Sequence, residues 1–187
     1  MKIPIEVSAR HVHLSKEDFE KLYGKNYKLI SIRRLSQPRE FASKEKIEII
    51  NGKEKLSLRI VGPLRENSQA EISLTDAINL KLTPLPKLRV SGDIKGATKG
   101  LIKGPRAQLK IPIIIAQRHL HCSQEQAKKM KLKDNQTVRI RVLGKRGLIF
   151  DNIVVRVKKE FKTALHLDTD EANAAGISKK VFGEITK

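Results

Sequence analysis

Two stretches of the chain repeat one another: KIPIEVSARHVHLSKEDFEKL at residues 2–22 and KIPIIIAQRHLHCSQEQAKKM at residues 110–130. Aligned at an offset of 108 without gaps, they share Lys, Ile, Pro, Ile, Arg, His, His, Ser, Glu and Lys. A match of that density fixes the organisation before any single residue is interpreted. The 187 residues form two halves, each opening with the same unit.

In each unit an apolar strand runs into a His-x-His pair. A serine follows, Ser15 or Ser123, with Asp18 or Gln126 three residues later, which resembles a capping box opening a short helix. Beyond it each half becomes strand-rich. KIEIINGKEKLSLRIVG places Asn-Gly between two alternating runs, a hairpin signal. TVRIRVLGKRGLIFDNIVVRV gives two or three more strands around Gly144 and Gly147. The Gly- and Lys-rich SGDIKGATKGLIKGPR reads as loops or a hairpin joining the halves. The expected fold is mainly β: two similar small β-barrel domains with short α-helices, from an internal duplication. The expected boundaries are 1–85 and 108–187, with 86–107 as the connection. Aromatics are only 4% of residues against 39% hydrophobic, so the cores must be aliphatic.

The halves also end alike. QAEISLTDA in the first and ALHLDTDEA in the second each offer a short strand with one metal-capable side chain, Glu71 or His166. That alignment matches Ala77 with Ala172 and Asp76 with Glu171, and it brings all five histidines to equivalent places.

Alternate residues of a strand share a face, so His11 with His13, and His119 with His121, can each hold one ion as a pair. Glu71 and His166 then offer a third ligand apiece. Three protein ligands with an open position are usual for a catalytic zinc, and imidazole-rich sets favour zinc or another late first-row metal. A lone His-x-His in a basic protein is more often a surface or core feature, but two copies in one duplicated frame reverse that balance. Cys122 points away from His119 and His121 in strand geometry, and Leu14 stands at its place in the first half; a buried thiol is the expectation. Arg65, six residues before Glu71 and behind Gly62-Pro63, has two readings of equal weight. Its planar fork suits a phosphate or carboxylate oxyanion, and it is equally well a solvated surface arginine.

Other classes are bounded by what the chain lacks. No apolar run reaches about 18 residues, so no membrane span is expected, and a strand-like segment from Lys2 leaves no room for a signal or transit peptide. One cysteine excludes an internal disulfide and suits a reducing cytoplasm. The net charge of +19 would suit nucleic acid, but the lysines are dispersed and stacking aromatics are few. A small polyanion fits the same field.

Together these residues resemble one family, the PduL-type phosphotransacylases or phosphate propanoyltransferases. The matching pieces are VSARHVHLS, LSQP with FA after it, VGPLRENSQAEIS, SGDIKG, AQRHLHCS and LHLDTDEANAAG, in family order across nearly the whole chain. The resemblance implies two β-barrels around two zinc ions per chain, and acyl transfer between coenzyme A and inorganic phosphate. It implies that His11, His13 and Glu71 bind one zinc, which also meets the CoA sulfur, and that His119, His121 and His166 bind the second. Arg65 matches the phosphate-binding arginine. Val7, Ser8 and Ala9, with Arg59 and Asn173, match positions that touch CoA, and Arg33 stands where the family has a CoA-contacting lysine. Relatives packaged in bacterial microcompartments carry an N-terminal targeting extension that is not seen here, so a cytoplasmic enzyme is expected.

The activity so implied is acyl-CoA + phosphate ⇌ acyl phosphate + CoA, on a short-chain substrate such as propanoyl-CoA or acetyl-CoA. With every histidine engaged as a ligand and phosphate already anionic, direct transfer is expected rather than a covalent acyl-enzyme. Expected partners are acyl-CoA and phosphate, not membrane or nucleic acid, and a homo-oligomer is left open. The alternative is a basic RNA- or ribosome-associated β-barrel protein, which would explain the charge and not the paired histidines. Another metalloenzyme fits less well. A TIM-barrel hydrolase needs more chain, and a cupin-like dioxygenase leaves Arg65 and the second site without a purpose.

Overall fold

The computed structural model describes residues 2–178 and 180–186. The first part of the chain runs β1 (Lys2–Val7), β2 (His11–His13), α1 (Lys16–Tyr23), β3 (Ser31–Arg34), β4 (Phe41–Asn51), β5 (Glu54–Gly62), β6 (Gln69–Ile72), α2 (Leu74–Asn79), β7 (Leu88–Arg89), β8 (Lys99–Lys103) and β9 (Gln108–Ala116). The remainder runs β10 (His119–Cys122), α3 (Gln124–Met130), β11 (Thr137–Val142), β12 (Leu148–Val157), β13 (Ala164–Leu167), α4 (Thr169–Ala174) and β14 (Val181–Thr186).

The strands close two six-stranded rings. One runs β1-β13-β10-β12-β11-β14 and back to β1. The other runs β9-β6-β2-β5-β4-β8 and back to β9, with β3 added beside β4 and β7 beside β9. Taken in these orders, each successive pairing has the same sense in both rings: parallel, antiparallel, parallel, then three antiparallel. Both barrels therefore repeat one topology, as a duplicated frame implies, and the expected mainly β architecture is found.

The domain boundaries differ from the expected 1–85 and 108–187. The compact units are Arg10–Ala116, and Met1–Ala9 with Gln117–Lys187. The two KIPI strands are exchanged: β1 closes the barrel built by the last third of the chain, and β9 closes the other. The sequence is silent on this because the two strands are interchangeable locally. Ile3 and Ile5 of β1, and Ile111 and Ile113 of β9, present the same buried pair to whichever core they join. Long-range pairing alone decides the partner.

The 86–107 segment is more than a connection, since β8 is a ring strand paired to β4 and β9. Gly100 of β8 faces Ile111, as Gly183 of β14 faces Ile3. A Cβ at Gly100 would lie 2.2 Å from Ile113 Cδ1, and one at Gly183 2.5 Å from Ile140 Cγ2. Equivalent glycines thus let the core side chains of each barrel fill the space beneath them.

Each core is aliphatic. Val12, Ile47, Ile49, Leu58, Ile60 and Ile113 lie in one, and Ile3, Leu120, Ile140, Ile153, Val155 and Leu165 in the other. The β4–β5 hairpin forms, but its turn residues are Gly52 and Lys53, one position later than the Asn-Gly signal, with Gly52 at φ +59°. Ser15 and Ser123 cap α1 and α3, accepting from the amides of Asp18 and Gln126. Reciprocal capping boxes appear at α2 (Ser73 with Asp76) and α4 (Asp168 with Glu171). Among the described residues no helix is long and apolar enough to cross a membrane.

Candidate active site

Both histidine pairs sit on three- or four-residue strands whose middle side chain anchors the core. Val12 and Leu120 are fully buried in their barrels, so strand alternation turns His11 and His13, and His119 and His121, to the opposite face. The neighbouring strand supplies the third group in register. His11 stands opposite Glu71 across β2 and β6, and His119 stands opposite His166 across β10 and β13. Among the described residues these two sets have candidate ligand atoms within 4.8 Å of one another.

In the first set His11 Nε2 lies 3.1 Å from His13 Nε2, and each is 3.8 Å from a Glu71 carboxylate oxygen. His13 Nδ1 lies 3.3 Å from Val61 O. A ring nitrogen bonds a carbonyl only by carrying the proton, so the Nε2 lone pair of His13 is turned to the cluster. Burial, then the neighbouring His11 and Arg65, hold the His13 imidazole well below its ordinary range. It is neutral at neutral pH. Glu71 Oε1 accepts from Gln69 Nε2 and from Ser91 Oγ, each at 2.6 Å. These bonds fix one carboxylate oxygen.

Arg65 joins the same network. Its backbone N–H donates to Leu14 O at 2.9 Å, which sets it beside the strand of histidines. Its Nη1 lies 3.5 Å from Ser91 Oγ, and its Nη2 donates to Glu40 Oε1 at 3.1 Å. Glu40, Gln69 and Ser91 were not singled out by sequence reasoning. Their signal was position within the matching pieces: Glu40 between LSQP and FA, Gln69 in VGPLRENSQAEIS and Ser91 at the start of SGDIKG.

The second set is three imidazoles. Ring centroids are 4.6 Å apart for His119 and His121, 5.1 Å for His119 and His166, and 4.7 Å for His121 and His166. His119 Nδ1 is held by Gln117 O at 2.9 Å, which leaves its Nε2 lone pair for the cluster. Burial, then His119 and His166, push the His121 imidazole far below its ordinary range. His121 Nδ1 and His166 Nε2 are buried with no hydrogen-bond partner. Buried imidazole nitrogens left without a hydrogen-bond partner are costly unless something bonds them. The donor chemistry in both sets fits zinc or a similar late first-row metal.

The arginine before each histidine pair has a matching role. Arg10 Nη1 pairs with Asp76 Oδ1 at 2.5 Å, and Arg118 Nη1 with Glu171 Oε1 at 2.9 Å. Those acids are also the capping-box partners at the start of α2 and α4. Each bond ties a histidine strand to the helix that follows Glu71 or His166.

Of the remaining residues expected at the site, Arg59 lies opposite His11 across β2 and β5 and donates to Ser43 O at 2.6 Å. Arg33 is exposed on β3 in the same unit. Val7 and Ala9 are exposed, and the Ser8 amide donates to Leu167 O at 2.7 Å. Asn173 is exposed on α4 in that second unit. Cys122 is fully buried in the core with Leu120 and Ile153, and burial pushes its thiol up.

A sequence model of the phosphate propanoyltransferase family matches residues 4–178. The chain belongs to that family. It is similar to the phosphate propanoyltransferase of Leptotrichia buccalis, 41% identical over 98% of this chain and 87% of the relative. It is also similar to those of Clostridioides difficile, at 39% over 99% and 89%, and Thermotoga maritima, at 42% over 92% and 83%. Family membership over nearly the whole chain makes it an acyltransferase. The alternative of a basic RNA-associated barrel has no support among these relatives.

Proposed function

We propose that the protein interconverts a short-chain acyl-CoA, such as propanoyl-CoA or acetyl-CoA, and inorganic phosphate with acyl phosphate and CoA. His11, His13 and Glu71 would hold one zinc, and His119, His121 and His166 the other. The observation that carries the reading is the chain Arg65–Ser91–Glu71, which puts a guanidinium in one hydrogen-bonded network with a carboxylate of the first cluster.

Arg65 holds phosphate beside that cluster, exchanging its bond to Glu40 for the oxyanion. A phosphate oxygen attacks the thioester carbonyl carbon. The carbon–sulfur bond breaks, its electron pair leaves with sulfur, and the proton of hydrogen phosphate ends on the thiol. Bound zinc would supply Lewis acidity toward the thioester oxygen or the departing sulfur. Orientation by Arg65 lowers the entropic part of the barrier, and its charge offsets the charge that develops on the phosphoryl oxygens. All five histidines lie in the two clusters, so none stands apart as a base. Phosphate needs none. The Cys122 thiol, buried and raised in pKa, is no nucleophile. Val7, Ser8, Ala9, Arg33, Arg59 and Asn173 are the side chains proposed to meet CoA.

Elemental analysis of protein purified without chelator, together with phosphate-dependent CoA release from propanoyl-CoA and acetyl-CoA, tests this. About two zinc per chain and phosphate-dependent release are expected. Release that proceeds equally without phosphate, or full activity in protein free of metal, would sink the reading.

A further inference from the structure

Glu40 is an acidic side chain at the Arg65 guanidinium that belongs to neither histidine cluster. Its Oε1 accepts from Arg65 Nη2 at 3.1 Å, while Arg65 Nη1 reaches Ser91 Oγ at 3.5 Å. The two acceptors differ in what they have left. Ser91 already donates to Glu71 Oε1 and receives Gln69 Nε2 at 2.8 Å, so its hydroxyl is engaged with the cluster. Glu40 gives Arg65 one oxygen and keeps the other as an acceptor.

A tight turn between β3 and β4 holds Glu40 in this place. Its backbone N–H donates to Gln37 O at 3.2 Å, and its carbonyl receives the Leu35 amide at 2.9 Å. Gln37 is buried, and Arg39 adopts φ +67°, a left-handed backbone that disfavours any residue with a Cβ. The turn therefore fixes where Glu40 leaves the main chain. When an oxyanion takes the guanidinium, the Glu40 carboxylate turns about its own side chain and stays beside the bound group.

An ionised carboxylate accepts hydrogen bonds and donates none. Beside a bound anion it distinguishes an oxyanion that carries a proton from one that does not. At neutral pH inorganic phosphate keeps a proton and can donate it. Sulfate has the same tetrahedral shape, keeps no proton, and would set oxygen against oxygen. The Arg65 fork alone bonds either ion. Guanidinium and carboxylate together attract oxyanions and penalise those without a proton.

We propose that Glu40 is a specificity residue of the phosphate site, accepting the phosphate O–H and excluding oxyanions that have no proton to give, such as sulfate. The same bond leaves the unprotonated oxygens to Arg65 and to attack on the thioester. The inference rests on Arg65 as the residue that holds phosphate.

Sulfate inhibition of phosphate-dependent CoA release from propanoyl-CoA, at constant ionic strength, tests it. Wild type should have a sulfate inhibition constant roughly 10- to 100-fold above its KM for phosphate. Glu40→Gln keeps the side-chain shape and can donate an N–H to sulfate, so that ratio should fall roughly 10- to 100-fold. Glu66→Gln removes the same charge from the exposed residue next to Arg65 and should leave the ratio as in wild type. Should Glu40→Gln turn over too slowly to assay, calorimetric titration of each protein with phosphate and with sulfate reads the same ratio. A ratio that Glu40→Gln leaves unchanged means that Glu40 only competes for Arg65 and overturns the proposal. A wild type that binds sulfate as tightly as phosphate does so too. An Arg65→Ala enzyme with the wild-type KM for phosphate would instead sink the reading of Arg65, and this inference with it.

Discussion

Arg65 and Glu71 are joined through a single hydroxyl: Ser91 donates to Glu71 Oε1 at 2.6 Å and receives Arg65 Nη1 at 3.5 Å. Of the two sequence readings for Arg65, this placement favours the oxyanion site over a solvated surface side chain. Arg65→Ala removes no proposed zinc or CoA ligand, so zinc content and CoA affinity should persist. Turnover with phosphate should fall about 30- to 1000-fold, the equivalent of roughly 2–4 kcal/mol for a charged hydrogen bond aimed at the reacting group. Arg65→Lys should recover little, since a point charge does not copy the fork. Lys55→Ala, exposed on β5, serves as the control in the same CoA-release assay. An Arg65→Ala enzyme as active as that control would put phosphate elsewhere, with Arg59 next to examine. Arg118 is already committed to Glu171 and to the carbonyl of Asp151.

Cys122 tests direct transfer. It is fully buried, on the core side of the strand that carries His119 and His121. Cys122→Ala should keep activity within roughly threefold of wild type. Cys122→Ser should also stay active, with the Thr163 side chain at hand as a hydrogen-bond partner for the new hydroxyl. A fall of about 10³ or more in kcat for the alanine variant, together with ping-pong kinetics, would indicate a covalent acyl-enzyme.

The two side-chain clusters, His11, His13 and Glu71, and His119, His121 and His166, were legible because each depends on short-range rules. Alternation puts His11 with His13, and the register of repeated segments puts Glu71 and His166 opposite the pairs. Glu40 and Ser91 were not legible, because only tertiary packing brings Glu40, before β4, to Arg65, and Ser91, after β7, to Gln69, Glu71 and Arg65. The contact of Glu6 Oε2 with His166 Nε2, at 3.3 Å, was hidden for a related reason. In sequence Glu6 lies five residues before His11, yet strand exchange places it against His166. A repeat reveals that two barrels exist and not which copy of a shared strand closes each.

Tyr23 gives the protein an alkaline weak point. Its hydroxyl donates to Lys46 O at 2.6 Å, and burial, then the Glu45 charge, pushes the phenol up to about 12 from an ordinary value near 10. Below pH 10 the phenol is neutral in both folded and unfolded chains, and its contribution is complete. As pH rises from about 10 to 12 the unfolded chain loses this proton first, so stability falls across that window. Tyr23→Phe should lose the hydrogen bond, about 1 kcal/mol, at neutral pH. Its stability should then decline less steeply between pH 10 and 12. Denaturant titrations at pH 8, 10 and 11 would show this; parallel declines would mean that Tyr23 is not the titrating group.

Gly183 and Gly100 occupy equivalent places, and their surroundings rank the damage a methyl group would do. At Gly100 the added Cβ would lie 2.2 Å from Ile113 Cδ1, the end of a side chain that can turn aside. At Gly183 it would lie 2.5 Å from Ile140 Cγ2 and 3.1 Å from the backbone oxygen of Arg141, which cannot turn without moving β11. Overpacking of this kind costs roughly 1–3 kcal/mol, with Gly183→Ala expected at the upper end and Gly100→Ala at the lower. For a chain of this length each kcal/mol lowers the melting temperature by about 2–4 °C. Lys99→Ala, an exposed change beside Gly100, should melt as wild type does. Thermal melts of the three variants check the order, and a Gly183→Ala protein that melts with the Lys99 control would show that the barrel has room at β14.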